Sequence, residues 1–219
     1  MSAPDPRLAR LRSLVDPART AVLTNELQNG VVGDGVTLPA LRDECRAAGT
    51  IDAAARVCEA ARNVGARVVH CTVELRPDGA GFAANCRIFA LSARQRASTG
   101  HWAVEAGTEG AKVLPALDQQ PSDVVVARMH GMTPFTSTSL DQVLRNMGIT
   151  TVIAVGVSVN LGIFGLTISA VDLGYQVIVV RDAVAGVPAE YADAVLDNSI
   201  ANLATIVTSA ELIDAWSGA

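Results

Sequence analysis

Aromatic residues make up only 4% of the 219-residue chain. A core built from it must therefore be packed by Ala, Val, Leu and Ile, and with half of the residues apolar one large α/β domain is the natural expectation. Lysine occurs once, as Lys112. The net charge is −5 and the pI near 5.1, which argues against a nucleic-acid partner, since that would favour a basic face. No apolar run approaches the roughly 18 residues of a membrane span. The N-terminal MSAPDPRLARLRSLVDP lacks the apolar centre of a signal peptide. A cytoplasmic protein with no membrane partner is expected. His70, His101 and His130 are scattered, and Cys45, Cys58, Cys71 and Cys86 lie 13 to 15 residues apart without a CxxC. Neither spacing suits a zinc site, and a disulfide framework is not expected without an export signal. The thiols are expected to be free and buried or half-buried. No repeat or low-complexity segment interrupts a single domain over residues 1–219, with 1–18 as a lead-in segment.

What is present organises itself around residues 150–174, TTVIAVGVSVNLGIFGLTISAVDLG. The β-branched run from Thr150 to Val155 has the composition of a strand buried on both faces, stopping at Gly156. After a short turn, Leu161, Phe164, Ile168 and Val171 recur at helical spacing, with Asn160 expected as N-cap and Gly174 just past the end. Another apolar run, Tyr175 to Val180, follows at once. Strand, turn, helix and strand make a parallel βαβ unit, and ligands in such units sit at the carboxyl ends of the strands.

The rest of the chain repeats that alternation. Thr20–Asn25 reads as a strand ending at Glu26, and 30–50 as a loop with a short helix near 39–47. Thr50 caps a helix over 51–63, and Ala66–Thr72 is a second strand. From Glu74 to Gln120 the pattern weakens. A helix is expected near 85–96 and a loop near 105–111, and a segment this long is expected to cover part of the site. Asp123–Ala127 is a third strand ending at Arg128, followed by a helix over 138–147 with Leu140, Val143 and Leu144 inward. Pro188 opens a helix running to about Leu203. Ala204–Thr208 is a last short strand, and a short helix ends at Trp216. The expected fold is a doubly wound, mainly parallel sheet of five or six strands with helices on both faces, a Rossmann-like three-layer α/β architecture.

Three pieces carry a resemblance. TAVLTNELQNGVV resembles a strand ending in Asp-Met-Gln-Asn. The segment from Asp123 to Ile163 resembles a strand ending in Lys, a Ser-Ala-Phe before a helix start, and then Gly-x-x-Thr-x-x-Cys-Val. GYQVIVVRDAVAG resembles Gly-Tyr-x-Val-x-Val-x-x-Asp-Ala. In this order they resemble the isochorismatase-like superfamily, which includes cysteine amidohydrolases, from about Thr20 to Leu212. In those enzymes an Asp deprotonates the thiol, a Lys holds the charge and the Cys attacks a carbonyl. Position by position these fall on Glu26, Arg128 and Gly162. The resemblance also implies a cis peptide at Val157–Ser158 and a homo-oligomer, dimer or tetramer; the positive mean hydropathy agrees with a buried interface. Some relatives hold a metal through an Asp and histidines after the second strand; here HCTVELRPDGAGF offers Asp78 and no later histidine, so no metal and no other cofactor is expected.

Gly162 closes the thioester route, and Cys71, the thiol nearest in topology, is expected to be packed. N–H groups at the start of the following helix are expected to face the pocket and favour an anion. Isochorismatases proper resemble this chain in having glycine there; they protonate an enol ether and need no protein nucleophile. Candidate catalytic positions are thus Glu26, Arg128 and Gly162, with His130, Phe135, Val157, Ser158 and Asn160 around the small-molecule substrate. Gln28 is expected to bond backbone, and Asp182 to be structural. Three readings compete: acid hydrolysis of a small carboxylated enol ether with Arg128 as anion clamp, water activation by Glu26 on an amide or ester, and a family member that binds without catalysis. A cation beside Glu26 speaks against its acting as an acid.

Overall fold

A computed structural model describes residues 6–34, 36 and 38–217. Six strands form one parallel sheet: β1 (Thr20–Asn25), β2 (Arg67–Val73), β3 (Val124–Arg128), β4 (Thr151–Val157), β5 (Gln176–Ala185) and β6 (Thr205–Val207), in the order β3-β2-β1-β4-β5-β6. The helices are α1 (Pro6–Leu14), α2 (Asn29–Val32), α3 (Pro39–Ala47), α4 (Thr50–Asn63), α5 (Arg87–Thr99), α6 (Leu140–Asn146), α7 (Phe164–Asp172), α8 (Ala189–Asn198) and α9 (Ser209–Ser217). The order of strands reverses between β1 and β4, and the crevice at such a switch point is where open α/β sheets bind ligands.

Alternation along each strand builds two cores. Val22, Ile153, Val155, Ile178 and Val180 face the layer of α1, α3, α4 and α9. Ala21, Leu23, Val152, Ala154, Val177 and Val179 face the layer of α6, α7 and α8. Every residue of β4 is buried, which explains why its sequence is an unbroken apolar run rather than an alternation. On α4, Ala53, Ala54, Val57, Cys58 and Ala61 share the inward stripe that helical periodicity predicts.

Several expectations change. Within residues 6–18, α1 is a helix that buries Leu11, with Val15 buried just beyond it. The Trp216 indole N–H then bonds Val15 O at 2.9 Å. Gly49, at φ 66°, and not Thr50, precedes α4 as its cap. The fourth strand does not stop at Gly156. It continues to Val157 through a register shift, and glycine is required there because a Cβ would lie 2.2 Å from Asn25 O. The helix after Pro188 ends at Asn198 and gives way to a 3₁₀ turn over Ile200–Asn202. On α6, Leu140 and Leu144 are buried but Val143 only half-buried. Cys86 is exposed, unlike Cys45, Cys58 and Cys71. The stripe of Leu161, Ile168 and Val171 is 40%, 38% and 36% exposed, while Ile163, Leu166, Thr167 and Ala170 are buried. A helix apolar on most sides does not reveal its inner face by periodicity, and the small residues Gly162 and Ala170 lie on its buried face. Among the described residues no helix is long and apolar enough to cross a membrane.

Candidate active site

Glu26 is the first residue past β1 and has φ 55°, a left-handed conformation uncommon for a residue with a side chain. Its N–H bonds Cys71 O at 3.0 Å, tying the turn to β2. Arg128 closes β3 with its side chain 1% exposed, against 22% for that of Glu26. The Arg128 Nη2 forms an ion pair with Glu26 Oε1, and Nε donates to Gly131 O at 3.0 Å. Nη1 is buried without a partner. Two residues 102 positions apart thus meet beside the switch point.

Gly162 lies in a π-helical turn, Val159–Ile163, that precedes α7. A Cβ built there would stand 2.7 Å from Asn25 Nδ2 and 2.9 Å from Val157 O. Asn25 is fully buried, and its Nδ2 donates to Val157 O at 2.5 Å. The space a side chain at 162 would use is thus held by Asn25, which sequence reasoning missed; its only signal was a polar residue closing an apolar strand. The N–H groups of Leu161 and Ile163 bond Ser158 O at 3.2 and 3.0 Å, so they are not free for an anion as expected. The Val157–Ser158 peptide is cis.

Asn160 is not the N-cap. Its Nδ2 donates to Val187 O at 3.4 Å, linking the turn to the loop before α8. Val157 sits in the core. Phe135 stacks on Tyr175, with ring centroids 5.8 Å apart. None of Phe135, Val157, Ser158, Asn160, Gly162 or Arg128 lines the cavity that opens at Glu26; His130 does.

That cavity, of about 130 Å³, is walled by Val73, Leu75, Phe82, Phe89, Trp102 and His130, among others. Most of its wall comes from the 74–120 excursion. Phe82 lies 4.6 Å from Trp102 and 5.6 Å from Phe89, and Phe89 lies 4.7 Å from His130. The sequence held a signal for this: three of its eight aromatics fall between positions 82 and 102. Gln28 does not line the cavity but ties Val73, which does, to the loop at Ala111, donating to Val73 O and Ala111 O and accepting from Val73 N. Asp182 receives Ser209 N and Oγ, away from the cavity. Cys71, next to Asn25 across the sheet, is fully buried. Burial pushes its thiol up to about 12, with the Arg128 charge opposing and the Glu26 charge assisting; such a thiol is inert at neutral pH. Asp78 pairs with Arg76 and caps Ala80 N. Among the described residues no three His, Cys, Asp or Glu side chains come together as a metal group.

A model of the isochorismatase domain matches residues 20–211. The chain belongs to the isochorismatase family. It is 29% identical over 175 residues to the ureidoacrylate amidohydrolase RutB of Rhizobium rhizogenes, a match covering 76% of this chain and 70% of that one. It is also 29% identical over 114 residues to the uncharacterized isochorismatase family protein YecD of Escherichia coli O157:H7. That match spans 48% of this chain and 60% of the relative's own length. An isochorismatase family protein of Desulfovibrio vulgaris superposes with a TM-score of 0.75 at 27% identity, covering 90% and 98% of the two chains. The six-stranded parallel sheet is the isochorismatase-like fold, and the chain is an isochorismatase-family hydrolase.

Proposed function

We propose that this hydrolase cleaves a small amide or ester by activating water at Glu26, with no covalent intermediate on a cysteine. The observation that carries the reading is the Glu26–Arg128 ion pair at the mouth of the cavity. An ionised carboxylate accepts hydrogen bonds and cannot donate one. That suits taking a proton from water rather than giving one to an enol ether. Arg128 engages Oε1, leaving Oε2 as the acceptor. In the proposed step Oε2 takes a proton from water as the water oxygen bonds to the substrate carbonyl carbon. The tetrahedral intermediate then collapses, the C–N or C–O bond breaks, and the proton passes from Glu26 to the leaving group. Arg128 orients the carboxylate and balances its charge. The likeness to a protein named an amidohydrolase supports the carbonyl reaction over the enol-ether one. Because Arg128 is already paired, the reading sets aside the free anion clamp that a carboxylated substrate would need. It includes a homo-oligomer, which the half-exposed stripe of Leu161 in the turn before α7 with Ile168 and Val171 on α7 supports.

The test is turnover of an amide and ester panel by the purified protein, its Glu26→Gln variant and the iodoacetamide-treated protein. Glu26→Gln is expected to lose about 100-fold or more, the low end for a general base, while alkylation leaves the rate unchanged. Equal rates in wild type and Glu26→Gln, or loss of activity on alkylation, would refute the mechanism.

A further inference from the structure

The wall over Glu26 contains a helix whose inner face has no core to meet. On α5, Ile88, Ser92 and Gln95 recur at helical spacing and, with Phe89 and Leu91, face the cavity. Yet no residue of this 13-residue helix is fully buried. An amphipathic helix ordinarily buries that face against packed side chains; here the face borders open space beside Phe82 and Trp102. The Trp102 indole N–H is taken by Arg76 O at 3.0 Å, and Arg96 stacks 4.8 Å from its ring. Trp102 therefore meets the cavity as an apolar surface.

Charge and size narrow what can enter. Among the described residues Glu26 is the only charged one lining the cavity, and the cation beside it, Arg128, is bound to it. A carboxylate entering would be stripped of water facing another carboxylate, with no unpaired cation on the wall to receive it, an arrangement of high cost. The cavity is about 130 Å³, close to the roughly 150 Å³ of an engineered apolar cavity that takes up benzene. Beside Ser92 and Gln95 of α5, His130 Nδ1 on the same wall is buried with no partner among the described residues, ready to pair with a single polar atom held near Glu26.

We infer that the substrate is an uncharged molecule that places one apolar group of six or seven carbons, a ring or a branched chain, among Phe82, Phe89 and Trp102, with its amide or ester group toward His130 and Glu26. The assignment of the amide or ester rests on the hydrolytic reading above; the preference for a neutral apolar group does not.

The experiment is ligand-induced thermal stabilisation and calorimetry of the full chain with benzamide, cyclohexanecarboxamide, benzoate and acetamide. Benzamide and cyclohexanecarboxamide are expected to bind at least tenfold more tightly than benzoate or acetamide. Ser92→Phe, which fills the cavity from α5, is expected to abolish that binding while the free protein still unfolds cooperatively; should it not fold, Gln95→Phe serves the same purpose. Benzoate or acetamide binding as well as benzamide would overturn the inference, as would benzamide binding unchanged by the filled cavity or not at all. Binding is read without turnover, so the two proposals fail separately. Lost selectivity with Glu26-dependent hydrolysis intact defeats this one, and intact selectivity without Glu26-dependent hydrolysis defeats the mechanism.

Discussion

Placing a cysteine at position 162 is the direct way to ask whether the turn before α7 can hold a side chain there. The structure predicts that Gly162→Cys damages the protein. The new Cβ would lie 2.7 Å from Asn25 Nδ2 and 2.9 Å from Val157 O, both inside ordinary van der Waals contact. Val157 O belongs to the end of a fully buried strand, so the Asn25 side chain is the part that must move. Moving it breaks the 2.5 Å bond to Val157 O and strands an amide whose Oδ1 already has no partner. Overpacking costs about 1–3 kcal/mol and a stranded buried amide about 1–3 kcal/mol. Replacing glycine with cysteine within a helical turn returns only about 0.3 kcal/mol. The expected net loss is about 2–6 kcal/mol, a fall in Tm of about 4–24 °C for a chain of this size. Asn25→Ala made together with Gly162→Cys removes the side-chain part of the obstruction and leaves only Val157 O. The double variant should be more stable than the sum of the single effects by at least about 1 kcal/mol, a coupling expected of residues in contact. Urea unfolding of the four proteins measures all of this. Additive effects, or a single Gly162→Cys variant as stable as the wild type, would show that Asn25 does not hold that space.

Two further outcomes are expected. In the folded protein at pH 8, alkylation followed by peptide mass spectrometry should label Cys86, which is exposed, and spare Cys45, Cys58 and Cys71, whose burial pushes each thiol up to about 12; labelling of Cys71 at the rate of Cys86 would contradict the packing beneath Glu26. Stability should also fall in mild acid through His70. This ring is fully buried, with Nδ1 2.8 Å from Thr24 Oγ1 and Nε2 3.2 Å from Asp123 Oδ2. Burial lowers its pKa from 6.5, with Asp123 opposing. The unfolded chain then binds the proton more readily, so stability drops as pH falls below about 6.5 toward the folded-state value. Equilibrium unfolding at pH 7.5 and 5.5 should show the drop in wild type and a smaller one in His70→Asn. An equal drop in both would place the acid sensitivity at another group. Asp123 is not that group: burial opposes, but bonds from Arg62, Gln120 N–H and His70 hold its carboxyl below 3.8, so its contribution is lost only at lower pH.

Much of the site was legible in the chain because strand ends are legible. Glu26 and Arg128 each follow a β-branched run, and parallel strands bring such positions to one edge of a sheet whatever lies between them. Their pairing was not legible, because a guanidinium bound to a carboxylate and one waiting for a substrate have the same sequence. Nor was the role of Asn25. Whether position 162 is an open hollow or an occupied one depends on a side chain 137 residues away, placed by the β1–β4 register of Asn25 on Gly156. The α7 stripe misled for a different reason: with apolar residues on most sides of the helix, the smaller residues chose the inward face.

By itself, then, the order of apolar runs, turns and helical spacings determined a doubly wound parallel sheet and put two opposite charges at its carboxyl edge, since local periodicity and strand polarity suffice for that. Only the tertiary structure decided that those charges pair with each other, that Asn25 fills the space beside Gly162, and that α5 closes an aromatic-walled space over Glu26. Each of these depends on volumes and distances between segments far apart in the chain, which no local pattern encodes.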